Sequence, residues 1–114
     1  MPTVLIVDDH PSFRATARLL LEADGFVVVG EAADGTNGLS QAAALRPDVV
    51  LLDVNLPDGV GFDLVPRLDA TVVMTSSRDD DGYALLAHEA GAAGFVSKHD
   101  LSAAAIARFL DDED

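Results

Sequence analysis

Acidic side chains follow two of the apolar runs in this 114-residue chain. Residues 4–7, Val-Leu-Ile-Val, run into Asp8 and Asp9, and residues 49–52, Val-Val-Leu-Leu, run into Asp53. Short runs of branched apolar residues with polar boundaries are typical of strands buried on both faces. If the two strands are parallel neighbours, three carboxylates meet at one edge of the sheet, and their repulsion must be relieved by a cation or a shifted pKa. A hard divalent cation held by oxygen ligands is the simplest relief, so the pattern predicts a metal site.

The composition favours a single domain in the cytoplasm that does not bind nucleic acid. The chain is long enough for one aliphatic core, and it has no cysteine for disulfides or cysteine-ligated metals. No apolar run approaches the length of a membrane span, and the N-terminus lacks the basic segment of a signal peptide. The net charge of −13 disfavours direct contact with nucleic acid phosphates. We therefore expect a cytoplasmic protein without membrane association.

Strand and helix signals alternate along the whole chain. The predicted strands cover residues 3–8, 26–29, 48–53, 72–75 and 94–97. The predicted helices cover residues 11–24, 36–45, roughly 60–68, 80–90 and 101–110, with a turn at 57–59 before the third. Five βα units in a row predict an α/β fold with a parallel sheet and helices on both faces. In such sheets, ligands bind beyond the carboxyl ends of the strands.

The residues that could do chemistry all fall at predicted strand ends. They are Asp8, Asp9, Asp53, Thr75, Ser76, Ser77 and Lys98. Each has a plain structural interpretation when it is taken alone, since aspartate caps helices well and a lone lysine is usually solvated. Lys98 is nevertheless the only lysine in the chain, and it occupies one of these ends. His10 lies beside the acidic pair, and we assign it no chemistry from the sequence.

Four motifs, in this order, resemble the receiver domain of bacterial two-component response regulators. They are Val-Asp-Asp-His-Pro at 7–11, Asp-Val-Asn-Leu-Pro-Asp-Gly at 53–59, a hydroxyl after the fourth strand, and Gly-Phe-Val-Ser-Lys at 94–98. The first motif looks most like the NarL/FixJ-like subgroup, whose members usually carry a helix-turn-helix output domain. The resemblance covers the whole chain and implies a flavodoxin-like (βα)5 doubly wound sheet with strand order 2-1-3-4-5. It implies one receiver domain over residues 1–114, excised or stand-alone, with no output domain.

The resemblance implies a role for each residue of the acidic site. Asp53 is expected to accept a phosphoryl group from a phosphohistidine on a sensor histidine kinase and to form an acyl phosphate. Asp9 and Asp53 are expected to bind Mg²⁺ directly, or Mn²⁺ as an alternative, with the backbone carbonyl of Asn55 as a further ligand. Asp8 would act mainly through a bound water, and Lys98 would pair with a phosphoryl oxygen. These roles agree with phosphoryl transfer, which needs charge neutralised and geometry held in line.

The resemblance also implies a switch made of a hydroxyl and an aromatic ring. Family spacing counted back from Phe95 selects Ser76 as the hydroxyl that engages the phosphoryl group, with Ser77 as the small residue that follows. A strand that ends one residue earlier would select Thr75 instead. Phe95 resembles the switch aromatic, which moves inward when the hydroxyl engages phosphate.

The expected function is therefore a phospho-signalling switch rather than an enzyme in the usual sense. It would catalyse its own phosphorylation and dephosphorylation, and it would control an output such as transcription through the face made by segments 80–90, 94–97 and 101–110. A Mg²⁺-dependent phosphohydrolase is disfavoured because Asp8 and Asp9 are adjacent and the chain has no room for a cap domain. A receiver that is never phosphorylated is disfavoured because every key residue is present. A homodimer and a DNA-binding output partner stay open.

Overall fold

A five-stranded parallel sheet organises the computed structural model, which describes residues 1–78 and 81–110. Its strands are β1 (Thr3–Val7), β2 (Val27–Ala32), β3 (Val49–Asp53), β4 (Thr71–Ser76) and β5 (Gly94–Ser97). Its α-helices are α1 (Pro11–Ala23), α2 (Gly35–Leu45), α3 (Asp81–Ala90) and α4 (Ala103–Leu110). The strands lie in the order β2-β1-β3-β4-β5 with every pair parallel, which confirms the predicted flavodoxin-like order 2-1-3-4-5.

Two aliphatic cores lie on opposite faces of the sheet. Alternate residues of a strand point to opposite faces, so each central strand contributes to both cores. Leu51 of β3 belongs to the core under α1 and α4, and its neighbour Leu52 belongs to the core under α2 and α3. The strand β3 is buried at all of its positions, including Asp53. A sheet covered in this way leaves its strand ends as the accessible edge.

The segment after β3 differs from the predicted helix over 60–68. Residues Asn55–Leu56 pair with Gly59–Val60 in a short antiparallel hairpin around the predicted turn. A 3₁₀ helix then spans Gly61–Arg67 and contains Pro66. Proline has no N–H to donate, which disfavours α-helical hydrogen bonding, and short 3₁₀ segments are a common substitute. The third connection therefore lacks an α-helix.

Other element boundaries differ by a few residues. Strand β2 continues to Ala32 because its pairing with β1 continues to Val7. The last helix begins at Ala103, after a 3₁₀ turn over Lys98–Asp100. The acidic residues 79 and 80 at the predicted start of the fourth helix, and the acidic tail 111–114, lie outside the described residues. Within the described ranges, no helix has the length and apolarity that crossing a membrane requires.

Candidate functional site

The parallel register brings the predicted acidic residues together at the carboxyl edge of the sheet. Val7 pairs with Leu52, so Asp8 and Asp53 follow on neighbouring strands. Side-chain donor atoms of Asp8, Asp9, Asp53 and also His10 all lie within 4.8 Å of one another. The structure therefore gathers the three carboxylates as the sequence predicted, and it adds an imidazole.

Burial makes this gathering of carboxylates costly. Asp8 is fully buried and Asp53 is nearly so, whereas Asp9 is partly exposed. One oxygen of Asp9, Oδ1, is nonetheless enclosed, and no hydrogen bond to it is found among the described residues. Charged groups in a poorly hydrated site need compensating positive charge or protonation. The donor set therefore fits a small divalent cation, which prefers carboxylate oxygens.

Lys98 is the cation that the chain itself supplies to the pocket. Its ammonium lies 2.7 Å from Asp8 Oδ2 and 3.6 Å from Asp53 Oδ2. The same ammonium lies 4.3 Å from the centroid of the Phe13 ring on α1, at a distance suited to a cation–π contact. A positive charge held in this place is available to both carboxylates and to an anion bound beside them.

The environment of Asp53 disfavours its charged form. Burial, followed by the charge of Asp8, raises the pKa of Asp53 from 3.8 to about 6. The charge of Lys98, the backbone N–H of Asn55 and the charge of His10 act in the opposite direction. That N–H donates to Asp53 Oδ1 at 3.4 Å. The carboxylate is thus an under-neutralised anion with its oxygens in the pocket.

Sequence reasoning missed the part that His10 takes in the site. Its backbone N–H donates to Asp8 Oδ1 at 2.8 Å, a local turn in which an aspartate side chain binds the backbone two residues later. The imidazole Nδ1 lies 2.8 Å from Asp8 Oδ1, 3.2 Å from Asp9 Oδ1 and 3.9 Å from Asp53 Oδ2. An aspartate two residues before His10 was the sequence signal that could have predicted this turn.

A second missed residue, Arg14 of α1, holds the backbone of the acidic turn. Its Nη1 donates to the carbonyl oxygen of Asp8 at 2.7 Å, and its Nε donates to Glu31 Oε1 at 3.0 Å. Arg18 donates to the other oxygen of Glu31 at 2.8 Å. These two arginines hold the pKa of Glu31 below its ordinary value, chiefly through the Arg18 hydrogen bond. The network ties α1 and β2 to the turn that carries Asp8 and Asp9.

The loop after Asp53 is anchored to α2 by Asp58. The carboxylate of Asp58 accepts from the backbone N–H of Gly35 at 2.8 Å and from that of Thr36 at 3.0 Å. It also accepts from the Thr36 hydroxyl at 3.0 Å. The two backbone N–H groups hold the pKa of Asp58 below its ordinary range. A carboxylate at a helix N-terminus is favourably placed for the helix dipole.

Gly61 allows the 3₁₀ helix to approach the end of β3 closely. Its N–H donates to the carbonyl of Val54 at 2.6 Å. A Cβ at position 61 would collide with the backbone carbonyl oxygen of Asp53. The 3₁₀ helix can therefore pack this closely against the backbone of Asp53 only because residue 61 has no side chain.

The two candidate hydroxyls both lie at the carboxyl end of β4. Thr75 pairs with Asp53, is fully buried, and has no hydrogen-bond partner for its hydroxyl among the described residues. Ser76 is also buried, pairs with Ser97, and accepts the backbone N–H of Arg78 at 3.1 Å. Ser77 is exposed. The choice between Thr75 and Ser76 stays a prediction, as does the metal role of the Asn55 carbonyl.

The predicted switch aromatic lies in a row of three rings. Phe95 is half-buried, and its centroid lies 5.7 Å from that of Tyr83 on α3. Tyr83 in turn lies 5.9 Å from Phe62 of the 3₁₀ helix. Both pairs are tilted by 58°, an arrangement that aromatic rings favour. The row connects β5 to the segment that follows Asp53.

Comparisons with known proteins agree with the fold and identify the family. The family described as response regulator receiver domain matches residues 4–108. A protein of Pseudomonas aeruginosa assigned as a transcriptional regulator is 41% identical over 105 residues, which are 88% of this chain and 51% of that protein. Protein-glutamate methylesterase/protein-glutamine glutaminase 6 of Anaeromyxobacter dehalogenans is 44% identical over 100 residues, 83% of this chain and 29% of that protein. The chain thus spans about half of the first of these relatives and less of the second.

Among solved structures, the signal receiver domain assigned to the response regulator NarL from Mycobacterium tuberculosis is similar throughout. Its TM-score is 0.84 at 34% identity, and the match covers 97% of this chain and 94% of that one. The strand order, the edge cluster of carboxylates and the family match all support one assignment. This chain belongs to the receiver domains of two-component response regulators, and it resembles the NarL-like members among them.

Proposed function

We propose that this domain is a phospho-accepting switch in which a sensor histidine kinase transfers a phosphoryl group to Asp53. The observation that carries the proposal is the setting of Asp53: a nearly buried carboxylate, 3.6 Å from the Lys98 ammonium, in a pocket shared with Asp8 and Asp9. A raised pKa beside a fixed cation in a strand-end pocket is typical of a functional carboxylate.

The transfer needs a nucleophile and charge neutralisation. An oxygen of the Asp53 carboxylate forms the new P–O bond, while the P–N bond of the phosphohistidine breaks and its electron pair returns to the imidazole. Asp9, Asp53 and the Asn55 carbonyl would hold Mg²⁺ or Mn²⁺, with Asp8 acting through water, and the ion would supply the charge neutralisation that such transfers need. Lys98 pairs with an oxygen of the arriving group, and its present distance to Asp53 supports this role. The domain also promotes hydrolysis of its own acyl phosphate.

Phosphorylation is proposed to change the surface formed by α3, β5 and α4, which partners then recognise. A hydroxyl at the end of β4, Ser76 rather than Thr75 by family spacing, donates to the phosphoryl group, and Phe95 turns inward. New contacts that exist only in the phosphorylated state provide the free energy for this change. Leu85 and Leu86 of α3 are exposed apolar residues on that side, which supports a role in contacting partners.

Partners and location belong to the same proposal. An output domain such as a DNA-binding one, a second copy of this domain, or both would respond to the reshaped face. The acidic charge of −13 opposes direct contact of this domain with nucleic acid. We place the domain in the cytoplasm, where a kinase can reach it.

The test is intact-mass measurement after incubation with acetyl phosphate, with and without Mg²⁺. We expect the parent to gain one phosphoryl mass only with Mg²⁺, and Asp53→Asn to gain none. Asp63→Asn is the matched control because Asp63 is an exposed aspartate of the neighbouring 3₁₀ helix, and it should behave as the parent does. No mass gain in the parent, or equal gain in Asp53→Asn, would contradict the proposal. Continuous release of phosphate from small phosphomonoesters would instead favour a phosphohydrolase.

A further inference from the structure

The imidazole of His10 lies at the rim of the pocket, with its side chain 59% exposed and its Nδ1 directed at the carboxylates. Its Nδ1 is 2.8 Å from Asp8 Oδ1 and 3.2 Å from Asp9 Oδ1. It is 3.9 Å from Asp53 Oδ2. The hydrogen bond from the His10 backbone N–H to the Asp8 side chain fixes the backbone at His10. The direction of the imidazole towards the pocket therefore follows from this local turn. The ring nitrogen therefore faces three acidic side chains and also the Lys98 ammonium, which lies 3.4 Å from it.

These separations match those between donors of a single metal ion. Two neighbouring ligands of an octahedral ion, each about 2.1 Å from it, lie about 3.0 Å apart, and opposite ligands lie about 4.2 Å apart. The Nδ1 distances to Asp8 and Asp9 are close to the first value, and the distance to Asp53 falls between the two. One cation could therefore contact the nitrogen and carboxylate oxygens without large movement of the side chains.

Two oxygens of the pocket are incompletely compensated: His10 Nδ1 faces Asp9 Oδ1 at 3.2 Å, and the Lys98 ammonium faces Asp53 Oδ2 at 3.6 Å. Asp9 Oδ1 is enclosed, and no hydrogen bond to it is found in residues 1–78 and 81–110. The Asp53 side chain is only 5% exposed, and the Lys98 ammonium is 3.6 Å from its Oδ2, which is longer than a hydrogen bond. A cation shared with the imidazole would satisfy both oxygens. The cluster is thus a mixed nitrogen and oxygen site rather than a group of exposed acids.

We propose that His10 is a direct ligand, through Nδ1, of the divalent cation in this pocket, and that it shifts the metal preference towards borderline ions such as Ni²⁺. Imidazole suits Ni²⁺, Zn²⁺ and Cu²⁺, whereas Mg²⁺ prefers oxygen and water. Coordination uses the tautomer with its proton on Nε2. The inference rests on the proposed function for the position of the cation, and it adds a residue outside the acidic set.

The test is isothermal titration of the full chain with Ni²⁺ and, separately, with Mg²⁺. We expect His10→Ala to lose about tenfold or more in Ni²⁺ affinity and to change less than about threefold in Mg²⁺ affinity. His88→Ala is the matched control, because His88 is an exposed histidine on α3, and it should change neither affinity. Asp9→Ala should weaken both metals, which would place Ni²⁺ in this pocket. His10→Asn, with circular dichroism of every variant, guards against a folding defect.

A second measurement reads the coordination itself. In a Zn²⁺ titration followed by NMR, the ring signals of His10 should shift at the stoichiometric point, ahead of those of His88 and His99. Equal Ni²⁺ affinity in the parent and His10→Ala, or tighter binding of both metals in the variant, would overturn the proposal, the latter by showing that the imidazole competes with the cation. Failure of Asp53 to take a phosphoryl group would contradict the proposed function alone, since these titrations need no phosphoryl donor.

Discussion

Lys98 is bound more closely to Asp8 than to the candidate phospho-acceptor. Its ammonium is 2.7 Å from Asp8 Oδ2 and 3.6 Å from Asp53 Oδ2. The lysine therefore compensates the fully buried Asp8 first, and it can approach a phosphoryl group on Asp53 by a small change in side-chain torsions. Lys98 thus contributes its positive charge to both buried carboxylates, which leads to the first prediction.

Replacing Lys98 by alanine should destabilise the metal-free protein. The change leaves buried carboxylates without their internal cation, and we expect a loss of about 2 kcal/mol in the free energy of unfolding, below the value for a fully enclosed pair because water reaches the lysine. Urea unfolding in EDTA measures the loss, and added Mg²⁺ should restore more stability to the variant than to the parent. The neighbouring exposed His99→Ala serves as control. Equal stability of Lys98→Ala and the parent would show that the ion pair contributes little.

Replacing Asp53 by asparagine should stabilise the metal-free protein at neutral pH. The folded-state pKa of Asp53 is about 6 against an ordinary 3.8, so the folded state binds this proton more tightly than the unfolded state does. The contribution of the group to stability is present below pH 3.8 and is lost as pH rises through 6. The variant should therefore match the parent near pH 3.5 and exceed it by about 1–2 kcal/mol at pH 7.5, a range reduced for water that enters the pocket.

Thermal unfolding in EDTA at several pH values checks this prediction, with Asp63→Asn as the exposed control. A stability difference that is constant across the pH range, or one that grows towards acid, would contradict a raised pKa at Asp53.

Replacing Arg14 by alanine should slow phosphorylation, whereas replacing Arg18 should not. Both arginines bind Glu31, but only Arg14 donates to the carbonyl of Asp8 and so holds the acidic turn. We expect about a tenfold lower rate with acetyl phosphate and weaker Mg²⁺ binding for Arg14→Ala, since small misplacements of ligands cost large factors in rate. Arg18→Ala should lose at most about 1 kcal/mol of stability and keep its rate. Similar rates for the two variants would mean that the Asp8 contact does not position the site.

Replacing Gly61 by alanine should displace the backbone at Asp53. The added Cβ would meet the carbonyl oxygen of Asp53, so the 3₁₀ helix or the end of β3 must shift. We expect a destabilisation of about 1–3 kcal/mol, which is typical of an overpacked site, together with a lower phosphorylation rate. Asp63→Ala in the same 3₁₀ helix is the control for helix effects. An unchanged melting temperature would show that the loop accommodates the methyl group.

Replacing each candidate switch hydroxyl in turn should distinguish the role of Thr75 from that of Ser76. Thr75→Val removes a buried hydroxyl without a partner in the described residues, so stability should stay equal or rise by up to about 1 kcal/mol. If Ser76 is the switch hydroxyl, Ser76→Ala should still be phosphorylated, and its NMR spectrum should change less on phosphorylation than that of Thr75→Val. The opposite pattern would assign the switch to Thr75.

The sequence predicted the elements that repeat and missed the contacts that depend on local turns. Runs of branched apolar residues identified the strands. Because Asp53, Asp9 and Lys98 follow strand ends in the sequence, they were expected at one edge of the sheet. The same reasoning predicted a helix at 60–68 but not that it is a 3₁₀ helix. The pattern of apolar residues indicates a helix, whereas Pro66 disfavours α-helical hydrogen bonding within it.

Side chains that act across the fold were harder to foresee. Arg14 reaches the carbonyl of Asp8 from the first turns of α1, and Asp58 reaches the N-terminus of α2. Neither contact leaves a periodic signal, since each depends on how two elements meet in space. His10 was visible beside the acidic pair, but its direction into the pocket follows from a hydrogen bond that composition does not reveal.

The row of rings through Tyr83 gives this protein an optical reporter of its own. The chain has one tyrosine and no tryptophan, so its tyrosine fluorescence, which is stronger than that of phenylalanine, comes from Tyr83 alone. That ring lies between Phe62, in the 3₁₀ helix that follows β3, and Phe95, the proposed switch aromatic. A rotation of Phe95 would change the surroundings of the only tyrosine, so the conformational response can be followed in unlabelled protein, in real time, from tyrosine fluorescence.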